Sequence, residues 1–213
     1  KTEMKDLFSI EDLKDALHLT VNNFNSCWIE NKGNFNFVLH TLPAQAQWAP
    51  VYGITTGDFN NDGNIDIALN GNEFSMSPLF GRCDALNGLI LQGDGKGNFN
   101  PLSIQQSGFY VPGNGKALVQ LIVNNKLTLA AAQNSSWLKL FQSKNQEEKF
   151  IKLQPDDAFA VVQLKNGQKR KEEFGYGSSF LSQSGRFIYL NASIQSVEIT
   201  NNKKQKRIIN NLQ

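Results

Sequence analysis

The chain is poor in the features that mark redox, membrane or nucleic-acid proteins. It has only two cysteines in 213 residues, Cys27 and Cys83. They form no redox or zinc motif, and they suit either one disulfide or two free buried thiols. No apolar run approaches the roughly 20 residues of a spanning helix, so no membrane span is expected. Charge is nearly balanced, 21 Lys and Arg against 19 Asp and Glu, so no strong electrostatic pull toward nucleic acid follows. The basic residues do cluster late, as Lys169-Arg170-Lys171 and Lys203-Lys204 with Lys206-Arg207. Each cluster lies beside a turn and lacks a recognition helix or an interleaved aromatic platform, so each reads as a solvated hairpin face and no nucleic-acid partner is expected. Only two histidines occur, His18 and His40, and neither has a partner visible in the sequence. No signal peptide opens the chain, which begins in mid-sequence at Lys1; a mature or truncated protein is the expectation.

What is present favours β structure. Fifteen Phe, four Tyr and three Trp suit strands, and seventeen Gly with abundant Asn suit tight turns. A short helix is expected from Ser9 to about Leu19, with Leu13, Ala16 and Leu17 on one face. It belongs to an N-terminal lead-in over 1–23. Beyond it the apolar period falls to two. The run Lys-Gly-Asn-Phe-Asn occurs at 32–36 and again at 96–100, each time between an apolar strand and an aromatic-led one. Gly33 and Gly97 can supply the positive φ of a tight hairpin. A second echo joins 51–70 to 117–131, as strand, polar loop and strand. The expected unit is an inner pair of strands followed by an outer hairpin, and four-strand repeats are the signature of propeller blades. Residues 71–86 read as an insertion that lengthens the period. After Phe150 the pattern changes to a small β unit, with a hairpin at Asn166-Gly167 and strands at 186–191, 195–200 and 205–209. The expected fold is therefore all-β: antiparallel four-stranded blades over 24–149, a small β domain over 150–213, and one short N-terminal helix.

The sharpest local signal is Asp58-Phe59-Asn60-Asn61-Asp62-Gly63-Asn64-Ile65-Asp66. Oxygen-bearing side chains stand at relative positions 1, 3, 5 and 9, glycine stands at 6, and the carbonyl of Asn64 can add a further oxygen. Calcium takes six to eight oxygen ligands, and three carboxylates suit a divalent cation. The expected metal residues are Asp58, Asn60, Asp62, Asn64 and Asp66, with Ca²⁺ as the cofactor. The pattern matches the first half of an EF-hand loop, but Leu69 stands where the bidentate Glu belongs, and strands rather than helices are predicted on either side. The plain alternative is an Asn/Asp-rich turn without metal. The weaker Asp94-Gly95-Lys96-Gly97-Asn98 lacks the further carboxylates and reads as a hairpin turn.

The nine-residue loop between strands, followed by a Gly-Lys-Gly-Asn-Phe hairpin, resembles the FG-GAP/VCBS repeat family of calcium-binding propeller blades. Leu42 to Pro50, and Gly71-Asn72 through Gly81 to Ala85 leading to Gly88-Leu89-Ile90-Leu91, resemble the last blades of large secreted VCBS proteins of the Bacteroidota. Gly175-Tyr176-Gly177-Ser178-Ser179-Phe180-Leu181-Ser182-Gln183-Ser184 with Phe187-Ile188-Tyr189-Leu190 resembles the ASPIC/UnbV domain that follows such propellers. The sequence departs from that family at Thr200-Asn201-Asn202-Lys203, where a Trp-Pro-x-Gly turn is usual. The resemblance spans about 24–209. It implies an extracellular or cell-surface, outer-membrane-associated, secreted protein with a binding or adhesion role toward an unidentified glycan or protein, and it names no ligand.

Three functions are weighed on the residues. As a surface binding module, the chain would use calcium structurally and draw ligand contacts from the insertion, with Phe74, Met76, Phe80 and Arg82 as candidates; the plain alternative is that these side chains pack the insertion on the blade. As the non-catalytic scaffold of a larger secreted enzyme or carbohydrate-processing surface protein, it would position a catalytic region elsewhere. As a glycoside hydrolase it would need two carboxylates about 5–10 Å apart across a cleft. The adjacent pairs Glu147-Glu148, Asp156-Asp157 and Glu172-Glu173 do not provide that on a strand, where neighbours point to opposite faces. The Gly-rich run at 175–179 has no helix after it to cradle a phosphate, and Ser184 has no base nearby. No enzyme is expected. About two blades are visible against the four or more of a closed ring. The chain thus reads as the C-terminal part of a larger protein, with self-association through an open blade edge as one outcome.

Overall fold

The computed structural model describes residues 2–144 and 149–210. The pair Glu147-Glu148 lies outside the described residues. At the N-terminus the expected single helix is replaced by two four-residue turns, α1 (Met4–Leu7) and α2 (Ile10–Leu13). Ser9 caps α2 reciprocally: its Oγ accepts from Asp12 N at 3.2 Å, and the Asp12 carboxylate accepts from Ser9 N at 3.1 Å. The helix then stops, because Asp15 turns to φ +69°. Leu17 is 83% exposed, so the apolar stripe read from the sequence has nothing to bury against. Without packing, a helix this short does not propagate.

Strands follow. β1 (Cys27–Gly33) and β2 (Asn36–Thr41) form a hairpin whose turn takes positive φ at Gly33, Asn34 and Phe35. A 3-10 turn at Ala44–Gln47 leads to β3 (Val51–Gly57), β4 (Asp66–Gly71), β5 (Leu89–Gly93) and β6 (Phe99–Leu102). These four pair antiparallel in sequence order as one sheet. After the short α3 (Ile104–Ser107), β7 (Asn114–Val123), β8 (Lys126–Asn134) and β9 (Lys139–Gln142) make a three-stranded antiparallel sheet. One of the two sheets therefore has the expected four strands. They do not form a closed ring.

The four-stranded sheet is buried on both faces, and strand alternation explains how. Ile67 and Leu69 of β4 join Leu89 and Leu91 of β5, Leu42, Ala46 and the ring of Trp28 on one side. Ala68 and Ile90 join Val111, Leu118, Leu129 and Ala131 on the other, against the three-stranded sheet. One-residue alternation thus feeds two cores from the same strands. The fully buried leucines Leu69, Leu91 and Leu118 each contribute roughly 1.5–3 kcal/mol. The first strands of the two sheets, β3 and β7, approach closely. Asn70 is fully buried beside them and donates to Ala117 O at 3.1 Å. A Cβ on Gly53 would fall 2.0 Å from Asn70 Oδ1, so only glycine fits there.

From Lys149 onward the chain builds a third core. β10 (Lys149–Lys152) pairs with β13 (Phe187–Leu190), while β11 (Asp157–Leu164), β12 (Lys169–Glu173), β14 (Ile194–Asn201) and β15 (Lys206–Ile209) form a sheet in the order β12-β11-β14-β15. Leu153, Ala160, Val162, Leu164, Ile188, Ile194, Val197 and Ile199 are packed together between them. Both cysteines are free thiols.

Candidate metal centre

The acidic loop joins β3 to β4, an antiparallel pair at one edge of the β3–β6 sheet. Asp58 at its start and Asp66 at its end are 5% and 1% exposed, whereas Asp62 at its tip is exposed. The loop folds by turning its own side chains onto main-chain N–H groups, the habit of Asp and Asn in turns. Asp58 Oδ1 accepts from Asp62 N at 3.1 Å and Oδ2 from Gly63 N at 2.9 Å. Asn60 Oδ1 also accepts from Asp62 N, at 3.1 Å, and Asp62 Oδ1 accepts from Asn64 N at 2.8 Å. Asp66 accepts from Phe59 N at 3.0 Å and from Gly93 N of β5 at 2.9 Å, which ties the loop across the sheet. Gly63 has φ +91°, so the sharp turn demands glycine as the sequence suggested.

The electrostatics of this loop are unfavourable for the chain alone. Burial pushes the Asp66 carboxyl up to about 6; the Gly93 and Phe59 N–H groups offset this in part, while Asp62 and Asp58 add repulsion. Burial likewise raises Asp58, against the N–H groups of Gly63 and Asp62 and the charge of Arg170. Among the described residues no Lys or Arg forms an ion pair with Asp58, Asp62 or Asp66. Nor do three or more His, Cys, Asp or Glu side chains converge there on one point as metal ligands, among the described residues. The donor types nevertheless suit a hard cation: two buried carboxylates, a third at the tip, the amide of Asn60 and the carbonyl of Asn64. Calcium sites draw on such amide and main-chain oxygens as well as carboxylates.

No protein-family model matches the chain, and no curated protein matches it. The reading therefore rests on the residues themselves.

The other residues singled out in the sequence are scattered. Asp94 accepts from Lys96 N at 2.7 Å and from the Asn98 amide at 2.7 Å, so that second loop closes on itself as a hairpin turn. His40 stacks on Trp28 with centroids 4.3 Å apart and meets Glu30 at 2.9 Å; it is engaged in packing. His18 lies in the exposed lead-in. On β12, Arg170 pairs with Glu172 and Lys171 with Glu173, so Glu172 and Glu173 do point to opposite faces. Asp157 is buried against Arg207, while Asp156 accepts from Asn201 at 3.1 Å.

The insertion at 71–86 is anchored at its base. Asn72 is fully buried and brackets Leu86, donating to its carbonyl at 2.7 Å and accepting from its N–H at 3.0 Å. Tyr52 Oη donates to Glu73 at 2.6 Å, and Lys116 reaches the same carboxylate at 3.0 Å. With the Tyr52 hydroxyl as the largest cause, Glu73 is pulled down to about 2. Glu73 and Cys83 bridge as antiparallel partners. Beyond that bridge, Phe74 stacks under the Arg82 guanidinium at 4.9 Å, while Met76 and Phe80 are 42% and 79% exposed. The four candidate ligand residues thus stand on one anchored, outward excursion, two of them with open apolar surface.

The structure also reveals partners that the sequence did not suggest. The C-terminal unit lies on the β3–β6 and β7–β9 sheets along two seams. Ser184 Oγ accepts from Gln120 N at 3.1 Å, Gly185 N donates to Gln120 O at 2.7 Å, and Ser179 Oγ accepts from Ile54 N at 3.2 Å. The Gly-rich run at 175–185 is therefore a docking segment against β3 and β7. The second seam lies on the acidic loop: Arg170 Nη1 donates to Gly63 O at 3.0 Å and the Asn191 amide donates to Asp58 Oδ2. Between the seams lies a cleft of about 710 Å³, lined among others by Thr56, Asp58, Gln120, Arg170, Arg186 and Tyr189.

Proposed function

We propose that this chain is a calcium-stabilised, propeller-type blade module of the FG-GAP/VCBS kind, followed by an ASPIC/UnbV-like β unit, and that it serves outside the cell as a non-catalytic binding or adhesion module for a glycan or protein. The single observation that carries the reading is the acidic loop. It closes the β3–β4 pair at the edge of an antiparallel meander, buries two of its carboxylates, and receives no ion pair from the chain among the described residues. Buried charges require a partner. A divalent cation held by Asp58, Asn60, Asp62, Asn64 and Asp66 supplies one, and its role is to stiffen the loop. The anchored insertion then presents Phe74, Met76, Phe80 and Arg82 to a ligand. The absence of a long apolar helix among the described residues accords with a protein that does not cross a membrane by a helix.

Calorimetric titration with Ca²⁺ of the wild type beside Asp62→Ala tests the metal. Saturable wild-type binding that the variant loses supports the reading. No wild-type binding at millimolar calcium overturns it. Glycan-array binding of the wild type beside Phe80→Ala, with and without chelator, tests the ligand face.

A further inference from the structure

The acidic loop is gripped by the other half of the molecule. Three side chains of the C-terminal unit meet it, from positions more than a hundred residues away. Arg170 of β12 donates to the carbonyl of Gly63 at 3.0 Å, across 107 residues of sequence. The Asn191 amide, across 133 residues, donates to Asp58 Oδ2, the same oxygen that accepts from Gly63 N at 2.9 Å. Ser193 packs against Gly63 so closely that a Cβ there would stand 3.0 Å from its Oγ. Asn191 is also oriented for this task. Its Oδ1 accepts from Ser193 N at 3.0 Å and from Ser193 Oγ, which leaves the amide hydrogens facing Asp58.

We propose that the acidic loop is a latch between the two units, so that the cation it takes also holds the 191–193 turn of the C-terminal unit against the blade and fixes one wall of the cleft between them. This rests on the calcium reading of the loop. The physical argument is one of shared atoms. The atoms that the C-terminal unit grips, Asp58 Oδ2 and Gly63 O, belong to the loop that must hold three like charges within nine residues. Without a cation those charges repel, the loop relaxes, and the gripped atoms leave their places. With a cation the loop is fixed and the grip is formed in advance. Coupling of this kind is reciprocal: if calcium favours docking, docking favours calcium by the same factor. Arg170 carries a charge and would alter affinity through the field alone. Asn191 is neutral, so a change in calcium affinity on its removal reports the contact.

The test uses the full chain. Calcium affinity is measured by calorimetry for the wild type, Asn191→Ala and the milder Ser193→Ala, which removes the hydroxyl beside Gly63 and one of the two bonds that orient the amide. Hydrogen exchange is followed over 58–66 and 187–194 with calcium and with chelator. The expected result is about five-fold weaker calcium binding in Asn191→Ala, a smaller loss in Ser193→Ala, and calcium-dependent protection of 187–194 in the wild type that Asn191→Ala loses. Equal affinities together with protection of 187–194 that ignores calcium would overturn the latch and leave the calcium reading standing. Absence of any wild-type binding would remove both. The exchange pattern of Ser193→Ala keeps the test decisive should Asn191→Ala fold poorly.

Discussion

Two buried acidic residues, one in each half of the molecule, solve the same problem in opposite ways. Asp157 in the C-terminal unit is 2% exposed, and Asp66 in the β3–β6 sheet is 1% exposed. Burial pushes both carboxyls up. At Asp157 the bidentate guanidinium of Arg207 and the N–H of Gln154 more than reverse that push, and the group ends below its ordinary range. At Asp66 only main-chain N–H groups answer, and two further carboxylates stand close by, so the group ends high. One unit carries its own cation, Arg207 of β15, two strands away in the same sheet. The other has the anions and, among the described residues, no ion-paired cation for them. That difference is the physical basis of the calcium proposal.

The comparison can be broken most severely at its better-satisfied end. Arg207→Met should destabilise the C-terminal unit by about 3 kcal/mol, because it leaves the Asp157 charge buried without its partner. Urea unfolding followed by exchange at β11 and β14 checks it, and a loss below about 1 kcal/mol would show that the pair is not needed to hold Asp157. The second comparison is in pH. In calcium-free protein the Asp66 carboxyl takes its proton near 6, against 3.8 for the ordinary group. The folded state then binds more protons than the unfolded one, so this contribution is fully present below the ordinary value and is lost as pH rises through about 6. It amounts at most to roughly 3 kcal/mol. Asp157 has the opposite sign: its contribution is present above the ordinary carboxylate range and is lost as pH falls through its lowered value. Unfolding free energies resolved by hydrogen exchange should therefore fall in separate windows: that of the β3–β6 sheet as pH rises from about 4 through 6, and that of the C-terminal unit only as pH drops below the ordinary carboxylate value. A common window would undo the contrast.

Calcium itself should add about 2.7 kcal/mol to the wild type at a hundred-fold excess over its dissociation constant. The gain should shrink below pH 6 as protons compete for Asp66, and Asp62→Ala should abolish it; thermal melts with calcium and with chelator give the reading. Gly63→Ala should cost about 1–2 kcal/mol, since an L side chain is strained at φ +91° and meets Ser193. Phe80→Ala on the exposed insertion should change stability by no more than about 0.5 kcal/mol. A larger loss would mean that Phe80 packs on the blade and does not await a ligand.

Much of the β architecture was legible along the chain. The strands read from the sequence at 51–56, 65–69 and 89–91 fall on β3, β4 and β5, and the Lys-Gly-Asn-Phe-Asn echo marked two real hairpins. The lead-in helix was misread, since the spacing of Leu13, Ala16 and Leu17 says nothing about whether a surface exists to receive them. The fourth strand of the second sheet was also not foreseen to be missing; β10, the next strand along the chain, belongs to the C-terminal unit and pairs there with β13.

The sequence by itself determined the local chemistry: which nine residues form the acidic loop, that glycine must stand at 63, and that strands flank it. Loop spacing and turn conformation depend on neighbours a few positions apart, which a linear reading contains. The tertiary structure alone decided that Asp58 and Asp66 are buried, that Asp157 has Arg207 while they have no ion pair among the described residues, and that Arg170, Asn191 and Ser193 close over the loop. Burial and charge pairing arise from contacts across tens to hundreds of residues. No periodicity in the chain encodes them, because they exist only once the two units lie against each other.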